Sequence, residues 1–162
     1  MIKPTKGDFL HDYQNRNHLH IGLTNSKGFV VEYDAQGIHR DRTLDWNQCI
    51  VVNLHNAMDP DVLSDPDWPE YWDSCLEASA ASASSRHQWT TEAYETQEHN
   101  CFAFVLAFLR SLKQNPLSLH ANNKVDFCSH YVLPKTRLAG KYICLYRKIR
   151  SHVGIYVGQQ KK

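Results

Sequence analysis

Cys101 opens the run "HNCFAFVLAFL", His99 to Leu109, and stands directly in front of apolar residues at helical spacing. A cysteine attacks as its thiolate, and a free thiol titrates at about 8.5, so a nucleophilic role requires something that stabilises the anion. The first turn of a helix does this, because its unpaired backbone N–H groups and the macrodipole favour negative charge. The same N–H groups can receive the oxyanion of a tetrahedral intermediate. Asn100 is a good N-cap, which makes Cys101 the first helical residue. The remaining requirement is a base, and the chain holds ten histidines. Two of them share a local setting, "HIGLTN" at His20 and "HVGIYVG" at His152. Free cysteine is also among the most buried residue types. Cys75 and Cys144 lie in apolar helical stripes and Cys49 in a β-branched run, so these three read as packing residues. Cys101 differs from them in its helix-start position and its polar approach, "EHN".

The elements that must position these groups follow from periodicity. "HLHIGLT" alternates, with Leu19, Ile21 and Leu23 on one face and His18, His20 and Gly22 on the other. "NSKG" forms a turn and "FVVEYD" returns, so residues 19–34 read as a β-hairpin. "CIVVNL", Cys49 to Leu54, is another short β-branched run. Asp59 to Glu77 predicts an amphipathic helix with an acidic outer face, followed by "ASAASASSR" as a fraying tail or loop. From Cys101 a helix runs to "QNP", where Pro116 bars continuation. "PLSLHANNKVDF" reads as a loop, a last helix spans Pro134 to Arg150, and "VGIYV" closes as a strand. Strands first, helices in the middle and a final strand predict an α+β domain with an antiparallel sheet packed against the cysteine-bearing helix.

Composition bounds the partners. The 162 residues, 42% apolar and 22% charged, suit one domain over residues 1–162. A formal charge of +1 predicts no nucleic-acid partner. Nowhere do about 18 apolar residues follow one another, so no transmembrane segment is expected. The five cysteines are odd in number and form no C-x-x-C pair, which suits a reducing compartment: the cytoplasm, with the nucleus also open. No phosphate loop, G-x-G-x-x-G or haem or flavin signature occurs, and no cofactor is expected.

The stretches "PTKGDFLHDY", "LHIGLTNSKGFVVEYDAQGIHRD", "HNCFAFVLAFL" and "YVLPKTRLAGKYICLYRKIRSHVGIYV" resemble the makorin-2 opposite-strand protein family over nearly the whole chain. That family is in turn more distantly similar to permuted papain-like (NlpC-like) folds, among them relatives of lecithin:retinol acyltransferase and the PPPDE thiol isopeptidases. In those folds a histidine strand precedes an "N-C" helix start, and the corresponding order here is His20 and then Cys101. The resemblance implies a Cys-His thiol hydrolase or acyltransferase acting on an ester, amide or isopeptide. Acyltransferase relatives place a third group twelve residues after the histidine, which is Glu32 here, where they carry histidine or an amide. An even pairing sum across the hairpin puts Glu32, or Asp34 in a shifted register, opposite His20. Asn100 is the candidate for oxyanion support or orientation.

His152 is the rival base. In unpermuted NlpC-like enzymes the cysteine comes first and a strand like "HVGIYVG" follows after a "PGD" turn. Here a long basic helix fills that interval, and His152 falls at a helix end, where a cation is favourable for ordinary reasons. His18 is a less suitable substitute for His20. A zinc site built from "HNC" at 99–101 and "CSH" at 128–130 has a cramped ligand spacing, so no metal is expected. The alternative to an enzyme is an inactive papain-like fold serving as a protein-interaction module. Lys135, Arg137, Lys141, Arg147, Lys148 and Arg150, with Lys161 and Lys162 beyond, would then meet an acidic partner or lipid headgroups, or else the chain's own acidic segment.

Overall fold

The computed structural model describes residues 1–14, 17–40, 43–86 and 88–152. Four antiparallel strands lie in the order β1-β2-β3-β4: β1 (Ile2–Pro4), β2 (Leu19–Thr24), β3 (Val30–Asp34) and β4 (Gly37–Arg40). The β2–β3 turn is closed by Asn25, whose side-chain oxygen accepts from the Lys27 and Phe29 N–H groups. Gly28 takes the left-handed conformation that this turn requires, φ 86°. β1 and β4 were not apparent from the sequence, because three or four residues are too few to show a period. "CIVVNL" joins the sheet only at Ile50, which exchanges two backbone hydrogen bonds with Ile2.

The helices differ from expectation in where they break. The acidic segment is two helices, α1 (Pro60–Leu63), capped by the Asp59 side chain, and α2 (Trp68–Arg86). α2 runs on through the alanine-rich tail expected to fray, in keeping with the helix propensity of alanine. α3 (Cys101–Ser111) packs across β2 and β3, burying Phe104, Val105, Phe108 and Leu109. Trp72 of α2 meets Phe108 edge-on, with ring centroids 4.7 Å apart. The segment expected to be a loop holds two single-turn helices, α4 (Leu117–His120) and α5 (Lys124–Phe127). A π-helical turn, Cys128–Val132, then leads into α6 (Leu133–Ser151). The expected closing strand "VGIYV" lies outside the described residues.

A main core joins the sheet to α2 and α3, and a second cluster is formed by Phe9, Tyr13 and Ile143. α6 reaches that cluster through Ile143. It is fastened there by Arg147, which donates to the Leu10 and Phe9 carbonyls at 2.7 and 2.9 Å. α6 is thus docked on residues 9–13. In the acidic segment, Glu77 pairs with Arg40 at 3.1 Å and Asp73 accepts from Ser26. No helix among the described residues is long and apolar enough to cross a membrane.

Candidate functional site

Asn100 makes the turn that presents Cys101. Its side-chain oxygen accepts from the Phe102 and Ala103 N–H groups, so Cys101 is the first residue of α3 as its sequence implies. Its amide nitrogen donates backward to the carbonyls of Thr96 and Gln97. Both ends of the amide are thus committed to the backbone. Asn100 thereby caps the helix that Cys101 opens.

β2 carries His20 to the same place. Burial disfavours the ring's charged form, and hydrogen bonding and charge attraction from Cys101 and Glu32 favour it. The Nε2–H of His20 donates to Glu32 Oε2 at 2.6 Å. That leaves Nδ1 as the ring nitrogen able to take a proton from sulfur. The three groups are closed off from solvent, with Cys101 5%, His20 6% and Glu32 1% exposed.

Glu32 reaches His20 by a different route from the one its spacing suggested. It stands opposite Gly22, not His20, and the β2–β3 pairing ends at that point. The residue opposite His20 is Lys3 of β1. Glu32 therefore reaches diagonally, and its Oε2 also lies 3.7 Å from Lys3 Nζ. Asp34, the shifted-register candidate, is hydrogen-bonded to His39 at 2.7 Å. Gly22 leaves room for the arrangement: a Cβ there would lie 3.0 Å from the Trp46 ring and 3.2 Å from the Val31 carbonyl. Trp46 covers the site, tilted against the His20 ring at 5.7 Å, with Lys3 over its own ring at 4.4 Å. Neither Glu32 Oε1 nor Trp46 Nε1 has a partner in good hydrogen-bond geometry. The indole N–H is nonetheless close enough to favour the carboxylate's charged form.

These surroundings set the charges. Burial opposes a proton on His20, but hydrogen bonding and attraction to Cys101 and Glu32 outweigh it and raise the pKa from 6.5 to about 9. Burial likewise opposes the Glu32 anion, and there the His20 hydrogen bond and charge, with Lys3, prevail and hold the pKa below its ordinary value. A charged pair this deep is stable only because each partner answers the other.

Other sequence candidates lie elsewhere. His152 is exposed at the end of α6, its Nδ1–H donating to the Lys148 carbonyl at 2.9 Å. His18 is exposed. His99 stacks on Trp89 at 4.7 Å and His130 on His120 at 4.0 Å, and among the described residues no three metal-binding side chains converge. Sequence reasoning missed Lys3 and Trp46. Lys3 could have been sought by pairing "IKP" with "LHI", but no local pattern marks Trp46.

Residues 1–149 match the family model described as DUF4796 C-terminal. The chain is 36% identical over 157 residues to the MKRN2 opposite strand protein of Homo sapiens, covering 97% of this chain and 65% of that relative's length. No solved structure matches. The chain therefore belongs to the DUF4796 C-terminal family, the family of the makorin-2 opposite-strand proteins.

Proposed function

We propose that this chain is a thiol hydrolase or acyltransferase of permuted papain-like design, with Cys101 as nucleophile, His20 as base and Glu32 as the group that orients His20. The observation that carries this reading is the buried 2.6 Å bond from His20 to Glu32, on an imidazole whose charged form Cys101 also favours. An aspartate or glutamate behind a histidine fixes its tautomer and supports its positive charge, which is the third role in a catalytic triad. The order of a histidine strand before a cysteine helix agrees with the permuted arrangement.

The chemistry follows from those positions. His20 Nδ1 holds the proton taken from Cys101, and the sulfur attacks as a thiolate on the carbonyl carbon of an ester, amide or isopeptide. The oxyanion meets the backbone N–H of Cys101 at the start of α3. His20 returns the proton to the leaving oxygen or nitrogen as the tetrahedral intermediate collapses to a thioester. Water, or an acceptor hydroxyl or amine, then gives its proton to His20 and releases the acyl group.

The burial of the Cys101 thiol favours a second reading, an inactive fold that serves as an interaction module. Labelling with iodoacetamide across pH, followed by peptide mapping, separates the two. In the enzyme Cys101 reacts about tenfold or more faster than Cys49 or Cys128, and its rate falls roughly a hundredfold in His20→Ala. Equal reactivity of the three cysteines, with no dependence on His20, removes the enzymatic reading.

A further inference from the structure

α6 carries Lys135, Arg137, Lys141, Arg147, Lys148 and Arg150 and no acidic residue, within a chain whose formal charge is only +1. Its inner side is occupied, with Ile143 in the Phe9 and Tyr13 cluster and Arg147 on the Leu10 and Phe9 carbonyls. Its outer side is not apolar by accident of one residue. Leu138, Tyr142 and Leu145 follow at spacings of four and three, which places them on one stripe, and they are 51%, 65% and 53% exposed. Tyr146 and Ile149 extend the stripe, Lys141 and Lys148 run along one margin of it, and Arg150, bonded to His11 and Tyr146, lies beyond the other.

We propose that the outer face of α6 is a docking surface for an anionic lipid bilayer, with the Leu138–Tyr142–Leu145 stripe in the headgroup region and the flanking lysines and arginines on lipid phosphates and carboxylates. Charge and shape both select this occupant. A helix with cations at both margins of an apolar stripe is matched by a continuous anionic plane. Tyrosine is well suited to such an interface, since its ring is apolar and its hydroxyl is wet. An acidic protein that wraps a basic helix needs its whole circumference, whereas α6 is bound to the body along one side and offers only the other. A plane needs no more than that.

The test is sedimentation of the full chain with vesicles of phosphatidylcholine alone and of phosphatidylcholine containing phosphatidylserine. The chain is expected to pellet with the second and not the first, and to be released by added salt. Two double variants follow, Tyr142→Glu with Leu145→Glu and Lys141→Glu with Lys148→Glu, each checked for the parent far-ultraviolet circular dichroism. All four positions are exposed, so folding is retained. Each pair is expected to weaken vesicle binding by about tenfold or more. Failure of the parent to pellet, equal pelleting with neutral vesicles, or undiminished binding by both variants overturns the proposal. Tight binding to calmodulin without vesicle binding overturns it in favour of an acidic protein groove.

Discussion

The His20 site and the outer face of α6 both concentrate charge, yet they treat it in opposite ways. At the site the His20 and Glu32 charges are buried and answer each other, with the half-buried Lys3 beside Glu32. On α6 six cations stand without an acidic residue in the helix, and most of their heads are in water. Burial makes a charge costly to hold and far costlier to orphan, whereas solvent makes single surface charges nearly neutral for stability. The same residue types therefore define chemistry in one region and association in the other. A substitution should reveal which region it occupies by what it changes.

The sharpest way to break the comparison is Glu32→Ala. Removing one member of a buried pair leaves His20 without its counterpart, and the expected loss is about 3 kcal/mol in the unfolding free energy from urea titration. A loss below about 1 kcal/mol would show that the site is not the closed pair described. The second test is pH. His20 has a folded pKa above its unfolded value of 6.5, so its contribution is fully present below 6.5 and is lost as pH rises toward about 9. Stability should fall across that interval with a slope of at most about 1.4 kcal/mol per pH unit, and His20→Gln should flatten it. Glu32 has the opposite sign: its folded pKa lies below 4.5, so its contribution is present above that value and is lost on acidification through the folded pKa. The pair is thus strongest between about 4.5 and 6.5. The smallest effect belongs to α6, where Tyr142→Ala should alter the unfolding free energy by no more than about 0.5 kcal/mol. A larger loss would mean that the exposed stripe supports the fold.

The parts of this site that depend on local order were legible in the sequence. The Asn100 cap, the placement of Cys101 at a helix start and the hairpin carrying His20 and Glu32 each depend on neighbours within a few residues. The remainder depends on pairing across the chain. Glu32 was reachable by its spacing, but its diagonal path follows from the end of the β2–β3 ladder and the absence of a side chain at Gly22. Lys3 arrives on a strand of three residues and Trp46 in a short turn, Thr43–Trp46, and neither segment is long enough to show a period. α4 and α5 were hidden for a related reason: each is one turn long, amid proline and asparagine that ordinarily mark loops.

The bond from Arg147 to the Leu10 carbonyl joins residues 137 apart, while the β2–β3 hairpin joins neighbours across a short turn. Closing so long a span carries a greater entropic cost than closing a hairpin, and that cost is recovered only when everything between is already arranged. Arg147 therefore acts as the drawstring of the chain: the hairpin can form from local contacts, but α6 finds its seat only on a body that has already folded.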